Sequence, residues 1–312
     1  MRYSFGVDIG GTTIKIGLLN DSGKLICKTE IPTRKENHGE LLISDIAEKL
    51  LAIIDSQGLS FENIAGAGLA MPGIVLADGT VKACVNLDGW SGNVADRLSS
   101  VLHDIPVKAL NDANAATLGE YYYGSAQGTK NMIFVTLGTG VGGGIVVDGR
   151  LLVGSNGACG EIGHIKVAEP DDDICGCGKS GCLERYASAT GIVLRTKKLL
   201  ASAETNSSLR NIADLICKDI FDCANAGDSL AIEAVDMAAK TLGKALANVA
   251  CVCDPEVIII GGGVSKAGDI LVKTVQKYFT EYALFVSEDV KIKLAVLGND
   301  AGMYGAAGIV LD

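Results

Sequence analysis

The sequence uses one device twice. A run of apolar and β-branched residues is stopped by glycines and followed by a second such run, as FGVDIGGTTIKIGLLN at 5–20 and MIFVTLGTGVGGGIVV at 132–147. Each reads as strand, tight turn, strand. A chain whose halves begin alike is predicted to build two similar α/β domains with a ligand cleft between them. At 312 residues it has length enough for two cores. Apolar residues at 41, 42, 46, 50, 53 and 54 predict a helix over 39–56. Further helices are expected at 91–103, 113–123, 188–201, 208–218, 227–253, 266–282 and 301–310, with strands in NIAGAGLAM, VKAL, EVIIIG and VKIKLAVL. The hinge is predicted near residue 111. That gives a smaller domain 1–111, rejoined by the C-terminal helix 301–312, and a larger domain 112–300.

The 40 glycines are close to twice ordinary usage, which points to loops where backbone closely approaches a ligand. GTGVGG at 138–143 matches the dinucleotide fingerprint, but that motif must open a helix; IVVDGRLLV follows instead and reads as a hairpin. GKS at 178–180 lacks the glycine and the strand that a P-loop requires. A better reading is a pair of phosphate grips. Gly10 and Gly11 with Thr12 and Thr13, and Gly138, Thr139 and Gly140, offer unshielded N–H groups and hydroxyl donors. Either loop alone could be a plain hairpin turn. The third Gly-rich strand end, Gly261-Gly262-Gly263, favours a nucleotide cleft.

Net charge is −10, which repels nucleic acid and anionic membrane at long range and makes neither an expected partner. No secretory h-region follows MRYSFGVDIGG, and no apolar run is long enough to cross a bilayer, so a cytoplasmic protein is expected. Seven of the ten cysteines are scattered in apolar or helical surroundings, as reduced thiols would be. Cys175, Cys177 and Cys182 stand apart, close together in a polar, Gly-rich stretch that also holds His164. Three thiolates and an imidazole are the donor set of a closed tetrahedral zinc site, and four protein ligands leave no open position for catalysis. Unligated thiols are the alternative. One ring nitrogen of His164 can bind metal while the other faces outward.

These motifs and their order are similar to those of the ROK family (repressor, open reading frame, kinase). The resemblance rests on DIGGT at 8–12, MPGIV at 71–75, NLDGW at 86–90, NDANAA at 111–116, LGTGVGGGI, GEIGH, CGCGKSGCLE, GGGVSKAG and LGNDAG. It covers nearly the whole chain and lies nearest the family's glucose-phosphorylating members. It implies an actin/hexokinase-like (ribonuclease H-like) fold with a zinc loop at 164–184. The activity it implies is transfer of the γ-phosphate of ATP to the 6-hydroxyl of glucose.

By the same resemblance Glu161, His164 and Glu184 grip sugar hydroxyls, joined by Asn86, Asn111 and Asp112, with Gly73 lining the pocket. Taken alone, each glutamate reads as a solvated surface charge. Asp112 is the implied base that accepts the 6-hydroxyl proton; by position it could equally be a helix N-cap, and a helix N-terminus would keep it ionised. Asp8, ending the first strand, is assigned to Mg²⁺, and Gly261, Gly262, Gly263 and Val264 to adenosine. Lys15, on a strand face, is left out. One departure is Leu110, where many glucose-specific members carry Glu.

Mannose, fructose, allose, N-acetylmannosamine and N-acetylglucosamine are alternative acceptors, and polyphosphate is an alternative donor, since discrimination rests on fine placement of polar partners. The cleft is expected to close on the hexose to exclude water. Sugar-responsive transcriptional regulators of the family carry a helix-turn-helix ahead of this fold; here DIGGT starts at residue 8, so an enzyme is expected. A homodimer is the expected assembly.

Overall fold

The computed structural model describes residues 2–34, 41–84, 87, 89–170 and 172–311. The chain divides into two compact units. One comprises Met1–Gly128, Leu151–Cys159 and Leu297–Asp312; the other comprises Thr129–Arg150 and Gly160–Val296.

In the first unit the elements run β1 (Tyr3–Ile9), β2 (Thr13–Asn20), β3 (Leu25–Pro32), α1 (Leu42–Ser56) and β4 (Ile64–Met71). A small sheet follows, β5 (Ile74–Val75), β6 (Thr80–Cys84) and β7 (Trp90–Asn93), then α2 (Val94–Val101), β8 (Val107–Asn111) and α3 (Asp112–Tyr123). The main sheet has the order β3-β2-β1-β4-β8, antiparallel through β3, β2 and β1 and parallel from β1 to β8.

Strand alternation decides what each face of β1 meets. Phe5, Val7 and Ile9 join Leu42, Ile46 and Leu50 of α1 in a core with Val94 and Leu98 of α2. Gly6 and Asp8 point the other way, onto the C-terminal helix. A Cβ on Gly6 would stand 1.9 Å from the Met303 carbonyl oxygen, and one on Gly68 of β4 would stand 1.7 Å from that of Ala306. Only glycine lets helix and sheet approach so closely.

In the second unit β9 (Met132–Leu137), β10 (Val141–Val147) and β11 (Arg150–Leu151) are followed by α4 (Glu184–Ala187), α5 (Ala189–Ser202) and α6 (Cys217–Asn225). Next come α7 (Ser229–Cys253), β12 (Val257–Gly261), α8 (Asp269–Tyr282) and β13 (Lys291–Leu294); α9 (Ala301–Ile309) then returns to the first unit. The sheet order is β11-β10-β9-β12-β13, with β9 and β10 antiparallel and β9, β12 and β13 parallel. This repeats the first unit strand for strand. Ile133, Val135 and Leu137 pack with Leu242 and Leu246 of α7 and with Val275 and Phe279 of α8. The β10–β11 turn holds Asp148 at φ 50° and Gly149 at φ 76°, the signature of a two-residue hairpin. The dinucleotide reading of GTGVGG fails on that geometry.

Three expectations change. The boundary falls after Gly128 rather than at 111, because α3 packs on α9: a Cβ on Gly305 would lie 1.8 Å from the Ala115 carbonyl oxygen. The helix expected at 208–218 is a 3₁₀ turn, Ser208–Asn211, followed by α6 from Cys217. The Asp228 carboxylate accepts from Ser207 Oγ (2.9 Å) and Ala231 N (3.1 Å), tying that turn to the start of α7. The helix expected from 91 begins at Val94, where the Asn93 side chain accepts from Asp96 N at 3.0 Å while 90–93 pairs with β6.

Candidate active site

In the first unit the β1–β2 turn is closed by Gly10 N donating to Thr13 O (3.0 Å). Thr33 braces it, its N–H donating to Thr12 O (2.9 Å) and its hydroxyl to Gly10 O (2.8 Å). Asp8 sits just before this turn with its carboxylate over the first turn of α9, its Cγ 3.2 Å from where a Gly302 Cβ would stand. Burial pushes Asp8 up to about 6, opposed by Lys15 and reinforced by Asp112 and Asp300. Lys15 Nζ donates to Asn299 O at 2.6 Å, and Lys28 Nζ pairs with Asp300 at 2.7 Å. Asp8, beside a Gly–Thr turn and within electrostatic reach of Asp112 and Asp300, suits a divalent cation carrying phosphate.

Asp112 opens α3, but it is not the cap. Asn111 fills that role, its Oδ1 accepting from Ala113 N (2.9 Å) and Asn114 N (3.1 Å). Its Nδ2 donates to the carbonyl of Gly73, which holds φ at +99°. One side chain thus ties the 71–75 turn to the helix that carries Asp112. Asp112 Oδ1 accepts from Ala113 N at 2.8 Å, and the side chain keeps open surface. The protein around it nonetheless desolvates its charge, so burial outweighs the Ala113 N–H and raises its proton affinity. The helix terminus, which favours the ionised form, is thus opposed by burial. A raised affinity suits a general base. Asn86 lies outside the described residues. Leu110 is buried in β8, paired with Ala70 of β4.

In the second unit the turn between β9 and β10 is closed by Gly138 N donating to Gly140 O at 3.0 Å. Gly262, at φ +83°, backs onto Leu137, where a Cβ would stand 2.5 Å from its carbonyl oxygen. Gly261 ends β12, so the third Gly-rich segment meets the end of β9. A cavity of about 390 Å³ opens beside it, lined by Ala189, Ile216, Cys217, Phe221, Gly263 and Val264. That is a size for a small ligand, and the lining is largely apolar.

The cysteine loop lies in the same unit. Around tetrahedral zinc, sulfurs at about 2.3 Å and nitrogen at about 2.0 Å stand roughly 3.6–3.8 Å from one another. His164 Nδ1 lies 3.6 Å from Cys175 Sγ, and Cys177 Sγ lies 3.6 Å from Cys182 Sγ. All four donor atoms fall within 4.8 Å of one another. The residues fit the metal. Lys166 Nζ donates to Cys182 Sγ at 2.9 Å, a partner for thiolate. The loop is braced from α5, where Arg195 pairs with Asp173 at 2.9 Å and stacks 3.9 Å over the Tyr186 ring. His164 Nε2 faces Glu161 Oε2 at 4.0 Å, and both side chains are part exposed. Glu184 differs. Its Oε2 accepts from Val141 N (3.0 Å) and its Oε1 faces Cys175 Sγ (3.4 Å), so it joins the metal loop to the Gly138–Gly140 turn.

The ROK family model matches residues 4–312. This chain belongs to the ROK family. Among ROK relatives, the glucokinase of Halalkalibacterium halodurans is 44% identical, covering 99% of this chain and 95% of its own. The glucokinase of Thermotoga maritima is 35% identical over 98% and 96% of the two chains. A ROK glucokinase from Streptomyces griseus, solved with glucose and AMPPNP, superposes with a TM-score of 0.76 at 32% identity, covering 98% of each chain. The two matching sheets are therefore those of the actin/hexokinase-like ROK fold.

Sequence reasoning about this ROK chain had no place for Lys15, Asn299 and Asp300 around Asp8. It also missed the Ser188–Gly191 segment beside the Gly138–Gly140 turn. The serine three residues before Gly191 at a helix start carried a signal, that of an N-cap. None of the ten cysteines is joined in a disulfide, and among the described residues no helix is long and apolar enough to cross a membrane.

Proposed function

We propose that the chain is an ATP-dependent glucokinase, converting glucose and ATP to glucose 6-phosphate and ADP. The observation that carries this reading is the 44% identity to a glucokinase along nearly the full length of both chains. Binding of glucose and AMPPNP by the S. griseus relative supports the same pair of substrates.

In this reading the oxygen of the 6-hydroxyl attacks the γ-phosphorus. The bond from that phosphorus to the β–γ bridging oxygen breaks, and the hydroxyl proton passes to the Asp112 carboxylate. The transition state is loose, so alignment and charge compensation supply most of the rate. Gly10–Thr13 and Gly138–Gly140 offer N–H and hydroxyl donors to the phosphates, and the cavity at Gly263 and Val264 takes the nucleoside. A cavity of that kind favours ATP over polyphosphate as donor. Magnesium arriving with ATP would be held by Asp8 and would offset charge on the phosphate oxygens.

Glu161 and His164 offer hydrogen bonds to sugar hydroxyls; Glu184 adds a carboxylate, and Asn111 with Gly73 shapes the wall near Asp112. Zinc on His164, Cys175, Cys177 and Cys182 would supply rigidity to the loop that bears them. A cytoplasmic setting, with ATP and a reducing milieu, accords with ten cysteines that form no disulfide. The test is ADP release measured with Mg²⁺ and ATP across glucose, mannose, fructose, allose and the N-acetylated hexosamines. A preference for any sugar other than glucose overturns the substrate; no sugar-dependent ADP release overturns the reaction.

A further inference from the structure

The start of α5 touches both the cavity and the phosphate turn. Ala189 lines the cavity, and its N–H donates to Gly138 O at 2.8 Å. One residue on, the Thr190 hydroxyl donates to Thr139 O. Ser188 fixes this corner: its hydroxyl donates to Glu184 O at 2.6 Å, accepts from Gly191 N at 3.0 Å, and stands 3.0 Å from Thr190 Oγ1. Two consecutive carbonyls of the turn, Gly138 and Thr139, are therefore held by two consecutive residues of the helix. A peptide whose carbonyl is pinned has its neighbouring N–H groups aimed as well. N–H direction is what a phosphate-binding turn depends on.

We propose that Thr190 is a positioning residue for the phosphoryl donor: its hydroxyl holds the Gly138–Gly140 turn in register with the nucleoside cavity. The inference rests on the reading that this turn holds the donor's phosphates. Thr190 touches neither reacting atom, so its loss weakens donor binding and leaves sugar binding alone. It is an exposed residue; valine keeps its β-branched shape but loses the hydroxyl, and Thr190→Ser, which keeps the hydroxyl, is the control for folding.

Isothermal titration of AMPPNP, together with steady-state kinetics, into wild type, Thr190→Val and Thr190→Ser gives the test. Thr190→Val is expected to weaken AMPPNP binding and raise KM for ATP by about threefold to tenfold, as loss of one hydrogen bond would. KM for glucose should stay within about twofold, and Thr190→Ser should restore donor affinity. Unchanged AMPPNP affinity in Thr190→Val, with wild type binding normally, overturns the inference and leaves the kinase reading standing. A wild type that binds no AMPPNP at any concentration overturns that reading, and the inference with it.

Discussion

Asp8 and Lys15 stand opposite one another in the β1–β2 hairpin, yet the lysine does not neutralise the acid. Its ammonium is drawn to the Asn299 carbonyl at 2.6 Å and lies 4.0 Å from Asp300. Burial over α9 then prevails, and Asp8 rises from 3.8 to about 6. A carboxylate held this way costs stability once it is charged.

The consequence is measurable without substrate. Between 3.8 and about 6 the folded chain holds the Asp8 proton more tightly than the unfolded chain does. Stability therefore falls as pH rises through that window, and above it the charged carboxylate is a net cost. Asp8→Asn is predicted to stabilise the Mg²⁺-free protein at pH 7.5 by about 1–2 kcal/mol, the shift discounted for partial exposure. The gain should vanish below pH 4. Denaturant unfolding at both pH values checks it; a less stable variant at pH 7.5 would contradict it.

The proposed base, Asp112, lies within electrostatic reach of Asp8. Asp112 must be ionised to take a proton, and burial raises its affinity for one. Activity is thus lost as pH falls through a value above the ordinary 3.8 of an aspartate. The Asp112 charge in turn adds to the proton affinity of Asp8. A pH–rate profile whose acid limb lies below 4 would refute this.

His164, Cys175, Cys177 and Cys182 predict one tightly held zinc per chain. Chelation should release it, expose the cluster's thiols to a thiol reagent and cost about several kcal/mol of stability. Metal analysis of chelator-treated protein that stays equally stable and active would rule the site out.

Two glycines separate folding from binding. A Cβ on Gly305 meets the Ala115 carbonyl oxygen at 1.8 Å, whereas one on Gly138 meets nothing within 4 Å. Gly305→Ala should cost about 1–3 kcal/mol or more through overpacking. Gly138→Ala should leave the melting point nearly unchanged and raise KM for ATP. Equal melting losses in the two variants would contradict the packing argument.

Much of this architecture is legible in residue types and spacing. The duplicated strand–glycine–strand pattern shows because alternation and β-branching are local, and Cys175, Cys177, Cys182 and His164 declare ligand chemistry by identity alone. Asp148-Gly149 likewise announces a hairpin. What was hidden depends on partners far along the chain. The unit to which α3 belongs is settled by Gly119 and Gly305 against a helix that only the fold brings near. The 208–218 segment has helical spacing, but Asp228 overrides it. Asn111 and Asp112 are equally good caps on paper, and only geometry shows that the asparagine is the cap and the aspartate faces open space. Thr190 looked like any residue in the first turn of a helix.

The most direct trial of the account is glucose-dependent ADP formation by wild type and by Asp112→Asn, with glucose binding measured in parallel. Wild type should turn over with Mg²⁺, ATP and glucose. Asp112→Asn should bind glucose with similar affinity while losing about 10²–10⁴-fold in kcat, the worth of a positioned base. Turnover by the asparagine variant near the wild-type rate would contradict the central claim.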